Sequence, residues 1–184
     1  CSYPIQPEEP TRGQLRGNPA TPGDVVSPGG LACVPDLDPD FGLPPDGPEG
    51  QHRIKLAEWI TDRRNPLFAR VIVNRLWHYH FGRGLAANPN NFGATGGRPT
   101  HPELLDFLAA TFVENGWSLK KLHKLILTSE SWKMATAHPD HAKLEEKDPD
   151  NKLLWVFRPR RLTAEELRDS LLAVTGRLNI KMGG

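Results

Sequence analysis

Asn65 to Leu85 reads N-P-L-F-A-R-V-I-V-N-R-L-W-H-Y-H-F-G-R-G-L, and its reading decides the fold. Asn65 is a good helix N-cap, and Pro66 suits the first helical position, where its missing N–H costs nothing. Gly82 and Gly84 accept the left-handed geometry that ends a helix. Between these signals Leu67, Phe68, Val71, Ile72, Val73, Leu76, Trp77, Tyr79 and Phe81 point in nearly every direction on a helical wheel. A helix apolar all round is normally the central, buried one. The prediction is a single helix with almost no exposed face.

The polar residues on that helix then become informative. Arg70, Asn74 and His78 are spaced i, i+4, i+8 and form one line, with Arg75 beside it. Buried polar groups cost free energy unless they find partners. Two readings stay open. One is a structural hydrogen-bond network joining helix to loops. The other is the floor of a binding or catalytic site.

Outward from this segment, punctuation marks the remaining helices. A first helix is expected from about Gly50 to Ile60, with Ile54, Leu56, Ala57, Trp59 and Ile60 on its apolar side. After Gly84 a long Asn-, Gly- and Pro-rich loop runs over 85–99, carrying Asn90, Asn91 and Arg98. Loops of that length in compact domains are often functional, although capping of local backbone explains such residues as well. Thr100 and Glu103 form a capping-box pattern ahead of Leu104, Leu105, Leu108 and Phe112, and His101 lies in that first turn. Ser118 caps a fourth helix expected to reach about Trp132. Residues 136–150 read as a charged connector with room for one short helix. Thr163 and Glu166 repeat the capping box, and Leu167, Leu171 and Val174 are expected as the buried stripe of a last helix ending at Gly176.

The first fifty residues are different in kind. Gly and Pro, 17 and 18 of the 184 residues, crowd there, and neither helix nor long strand survives that density. An ordered, extended arm is expected because Val25, Val26, Leu31, Val34, Phe41 and Leu43 are interspersed through it. Asp36, Asp38, Asp40 and Asp46 lack the spacing of a calcium loop and read as a solvated acidic loop. The expected architecture is mainly α: a helical bundle of about five helices around a central buried helix. Residues 1–49 form the arm and 50–184 the helical domain.

Composition excludes several classes. A net charge of +1 gives no global drive toward nucleic acid or anionic membrane. No apolar run is long enough to span a bilayer. Cys1 and Cys33 make neither a disulfide framework nor a zinc site, whether or not they pair. His78 and His80 lie two apart on a helix, so they point about 200° from each other and do not chelate one ion. No metal site is expected, and no cofactor in this chain. Arg158, Arg160 and Arg161 suit carboxylate or phosphate, or pair with Glu165, Glu166 or Asp169. A chain beginning at Cys1 and stopping just past a helix reads as a slice of a larger protein.

Several segments in order resemble one family: R-G-N-P-A-T-P-G-D-V-V, the central N-P-L-F-A-R-V-I-V-N-R-L-W-H-Y-H-F-G-R-G-L, N-F-G-A-T-G-G-R-P-T-H-P-E-L-L-D-F-L, G-W-S-L-K-K-L-H-K-L-I-L-T-S and R-R-L-T-A-E-E-L-R-D-S-L-L-A-V-T-G. Together they resemble the PSD1 domain, a domain of unknown function (DUF1553) of planctomycete-type bacterial proteins, over nearly all of residues 12–184. The resemblance implies a fragment of a larger PSD1-like domain in an exported, cell-envelope, multidomain protein, with a cytochrome c haem elsewhere in the parent. It marks Asn74, Arg75, Trp77, Phe81, Gly82, Gly84, Phe92, Gly93, His101, Pro102, Glu103, Arg161, Glu165, Arg168 and Asp169. The family often has Asp at the place of Asn91 and Tyr at that of Trp132.

The functional expectation is a structural or binding module for other domains of the parent or a polysaccharide-like ligand. Its candidate residues are Arg70, Asn74, Arg75, His78, Asn91, His101, Arg161, Glu165, Arg168 and Asp169. The alternative is a hydrolase on envelope or environmental polymers, using His78 or His101 with Arg75.

Overall fold

The structure, a computed structural model, describes residues 11–93 and 95–181; Cys1 lies outside them. Among the described residues the order is β1 (Arg12–Gln14), β2 (Pro22–Val25), α1 (Glu49–Thr61), α2 (Pro66–Phe81), α3 (Pro102–Glu114), α4 (Leu119–Leu127), α5 (His141–Lys147) and α6 (Ala164–Val174). The chain is mainly helical. The helix beyond the five expected is α5, which falls inside the charged connector that had room for one short helix.

The arm carries the one sheet among the described residues, β1 and β2 paired antiparallel with an irregular register between Arg12 and Gln14. Farther on, the Gly30 N–H donates to the Pro39 carbonyl at 2.7 Å, and the Trp59 indole Nε1–H donates to the Asp38 carbonyl at 3.1 Å. These bonds lay the arm against α1. A Cβ on Gly30 would sit 2.5 Å from the Trp59 ring, so the contact requires glycine. The acidic loop caps its own backbone: Asp38 accepts from the Asp40 N–H and Asp40 from the Gly42 N–H. Cys33 is exposed and free.

α2 begins and ends as its sequence predicts. The Asn65 carboxamide accepts from the Leu67 N–H at 3.0 Å, and Gly82, at φ 77°, donates back to the His78 carbonyl. Its burial departs from expectation. Ala69, Val73, Asn74 and Trp77 are buried, but Leu67 and Tyr79 are exposed, Tyr79 at 66%. The core sits between α2, α3 and α4: Ala69, Val73 and Trp77 meet Leu105, Leu108, Ala109, Phe112, Leu122, Ile126 and Leu85. These neighbours cover one side of α2 rather than its whole circumference. Burying a leucine such as Leu105 or Leu122 contributes roughly 2 kcal/mol.

Four further expectations are corrected. Thr100 does not cap α3: its N–H and hydroxyl both donate to the Leu85 carbonyl, at 2.8 and 3.3 Å, and His101 takes the N-cap position without a side-chain capping bond. α4 stops at Leu127, short of Trp132. The Thr128 hydroxyl donates to the Lys124 carbonyl and the Ser129 hydroxyl to the Ile126 carbonyl, which competes with continuation of the helix. On α6 the predicted buried stripe is exposed, with Leu167 at 51%, Leu171 at 60% and Val174 at 89%. That helix has its full capping box at Thr163 and Glu166, local bonds that hold its start. The apolar side expected of α1 is likewise covered only at Trp59 and Ile60, leaving Ile54 and Leu56 exposed.

Candidate functional site

The polar line on α2 resolves into three separate arrangements. Arg70 reaches α3, where its Nε donates to Asp106 at 2.6 Å, and its Nη1 donates to the Pro66 carbonyl. The Arg70 guanidinium holds the Asp106 carboxyl below its ordinary value, chiefly by that hydrogen bond. Asn74 is fully buried. Its Nδ2 donates to the Ala86 carbonyl at 3.0 Å and its Oδ1 accepts from the Ala86 N–H at 2.8 Å. The carboxamide thus pairs with a passing peptide as a neighbouring strand would, and it draws the 84–86 segment onto α2. His78 has Nδ1 buried without a hydrogen-bond partner.

The other sequence candidates lie outside this line. Arg75 is exposed and donates to the Asn90 carboxamide at 3.0 Å. Asn91 caps the Gly93 N–H and donates to the Thr95 hydroxyl. His101 bonds the neighbouring Thr100 hydroxyl at 3.0 Å. Arg161 and Glu165 are exposed, and Arg168 pairs with its neighbour Asp169 at 3.2 Å on the surface of α6. No hydrogen bond among the described residues joins His78, His101 and Arg75.

Where α2 ends, the chain makes a cleft of about 360 Å³. Trp77, Phe81, Leu85 and Leu154 supply its apolar wall, and Arg83, Lys152, Arg158 and Arg160 its cations. Trp77 and Phe81 stack at 4.2 Å, and Phe81 meets Trp132 and Phe157 edge-on or tilted behind the wall. Two carboxylates answer the four cations. Asp150 lies 3.1 Å from Lys152 and 3.6 Å from Arg83, and Lys152, with Arg83 beside it, holds its carboxyl below the usual range. Glu166 accepts two bonds from Arg160, at 2.7 and 3.0 Å. That clamp, with the Thr163 N–H, lowers Glu166 to about 2. Among the described residues Arg158 donates only to the Pro149 carbonyl. The cleft therefore keeps an excess of positive charge.

The turn that brings Asp150 and Lys152 to the rim is built by two buried or half-buried side chains. Asp148 accepts from the Lys152 and Leu153 N–H groups at 2.9 and 2.8 Å. Asn151 pairs with Val156 in both directions, the same device as Asn74 with Ala86. A polar Asn before an apolar run was the only sequence sign of it.

Residues 52–184 match the model of PSD1, a protein family of unknown function (DUF1553). The chain belongs to the PSD1 family. No curated protein and no solved structure matches it. Of the residues that the PSD1 resemblance marks, Asn74, Trp77, Phe81, Gly82 and Gly84 form one connected unit, the Asn74 clamp and the cleft wall beside it. His101, Pro102 and Glu103 start α3, while Arg161, Glu165, Arg168 and Asp169 lie exposed at the start and along the surface of α6.

Sequence reading missed a contact between two helices. His80 Nε2 and His123 Nδ1 are 2.8 Å apart, joining the last turn of α2 to α4, with the Trp132 ring edge-on at 5.3 Å. Burial lowers the His80 pKa, and His123 and Arg160 lower it further. His78 and His80 do face apart, as helical geometry requires. Among the described residues no group of three or more His, Cys, Asp and Glu converges on one point, and no helix is long and apolar enough to cross a membrane.

Proposed function

We propose that this PSD1 domain is a binding module that takes an acidic, polysaccharide-like chain in the cleft at the end of α2. In this reading it serves an exported multidomain protein. One observation carries the proposal: four cations face two carboxylates above an aromatic wall, and among the described residues Arg158 has no carboxylate partner. Guanidinium groups bind carboxylate in a fixed fork, and aromatic faces suit the apolar side of a sugar ring. The volume of about 360 Å³ is in the range of small-ligand pockets rather than of flat protein interfaces. Binding is favoured over hydrolysis because Arg75 and His101 each bond a local side chain instead of meeting His78.

The test is calorimetric titration of the chain with an oligogalacturonate and with a neutral cello-oligosaccharide. The uronate is expected to bind and the neutral chain not to. Arg158→Ala should weaken uronate binding about tenfold, the loss of roughly one charge-assisted contact, and added salt should weaken it further. Equal affinity for both saccharides, or no effect of Arg158→Ala in a folded variant, would remove the cleft as the site.

A further inference from the structure

We infer that the His80–His123 pair regulates the cleft by proton coupling, an anion seated in the cleft that Arg160 lines drawing one proton onto the two imidazoles. The inference rests on the anion-binding reading of the cleft. Its geometric basis is the 2.8 Å contact between His80 Nε2 and His123 Nδ1. At that distance one nitrogen carries the proton and the other offers a lone pair. A first added proton goes to the outward nitrogen of the donor ring and turns the shared bond into a charge-assisted one. A second would place two N–H groups head to head, so the pair takes one proton while this contact holds.

What opposes that first proton is visible around the pair. From α4 the facing group is His123, and from the 158–161 segment it is Arg160, whose charge disfavours a cation on His80. Glu166 of α6 holds the same guanidinium by two bonds. The 128–133 turn presents the Trp132 ring, its Glu130 and Lys133 being paired with each other at 3.0 Å. Half-burial adds a desolvation cost. Arg160 also lines the cleft, so an anion seated there offsets the repulsion that His80 feels. Coupling of this kind is reciprocal: the anion favours the proton, and the proton favours the anion by the same factor.

The experiment is titration of the full chain with the oligogalacturonate in buffers of different ionisation enthalpy. The expected result is proton uptake on binding, with affinity roughly fivefold tighter at about pH 5.5 than at about pH 8. The double variant His80→Gln with His123→Gln should bind as the wild type at the higher pH and show neither uptake nor pH dependence. Imidazole nitrogen shifts of the unsubstituted protein give an independent answer: the two rings should titrate at higher pH once the saccharide is added. Binding without proton uptake overturns the coupling and leaves the cleft as a binding site. Uptake that persists in the folded double variant assigns the proton to another group and also overturns it. No binding at any pH overturns the cleft reading and this inference together.

Discussion

Asn74 and Ala86 hydrogen-bond each other twice, at 3.0 and 2.8 Å, where neither reaches water. The pair fixes the chain after α2 before it turns into the 85–99 loop, and so fixes one wall of the cleft. Asn74→Ala would leave a buried N–H and a buried carbonyl unpaired. The expected loss is about 3 kcal/mol of folding stability, read from urea unfolding at neutral pH. Asn74→Asp should cost no less, because the carboxylate faces the Ala86 carbonyl and brings a charge into the interior.

Gly84 is the companion of that clamp. A Cβ there would sit 2.5 Å from the Ala86 oxygen and 2.7 and 2.8 Å from the two Asn74 amide atoms. Gly84→Ala is therefore expected to destabilise by about 2 kcal/mol through overpacking. Because it acts on the same bonds, its cost should shrink when Asn74 is already alanine. A double-mutant cycle measures this, and strict additivity would show that the two residues act separately.

Local signals were legible and long-range ones were not, for a physical reason. Asn65, Gly82, Ser118 and the Thr163–Glu166 box act within a turn of the backbone they cap, and each appears as read. Thr100 failed as a cap because its N–H and hydroxyl both donate to the Leu85 carbonyl, 15 residues earlier, and it sits one residue outside the cap position. Asn74 was visible as a polar residue on an apolar helix, but nothing in the sequence names a peptide 12 residues on as its partner. The Arg70–Asp106 and His80–His123 contacts span 36 and 43 residues and carry no periodic signature. Periodicity also overstated burial. It places apolar residues on one side of α6 and says nothing about what covers them.

Acid should loosen the start of α6. Glu166 titrates at about 2 in the folded chain against an ordinary 4.5, first because Arg160 donates to it and then because the Thr163 N–H does. A lowered carboxyl pKa means that the unfolded chain binds the proton first. The stabilisation is present above pH 4.5 and lost as pH falls toward 2. Protection factors of the first α6 amides, referred to the intrinsic exchange rate at each pH, should fall across that window, and Glu166→Gln should show the low protection already at neutral pH. Protection that stays high in the variant would mean that the clamp does not hold the helix start.

A second window lies higher. The folded His80 pKa is lowered from 6.5, by burial first and then by His123 and Arg160. Its neutral form is favoured in the fold, so the stability it brings is present above pH 6.5 and lost as pH falls below that value. Unfolding midpoints of the unliganded chain should decline as pH falls through this range, and less steeply in His80→Gln. An identical slope in that variant would assign the decline to other groups.

The exposed stripe of α6 gives the sharpest contrast between pattern and burial. Leu171 is 60% exposed, so Leu171→Glu removes little buried apolar area. It also adds a charge one turn beyond Leu167 without touching the capping box. Surface substitutions of this kind change stability by about 0.5 kcal/mol or less. The same change at Leu122, 2% exposed in the core beside Phe112 and Ile126, buries an unpaired carboxylate and should unfold the domain. Paired urea melts of the two variants make the comparison. A loss of several kcal/mol at Leu171 would require that side of α6 to be packed against something, and would restore the stripe as a buried one.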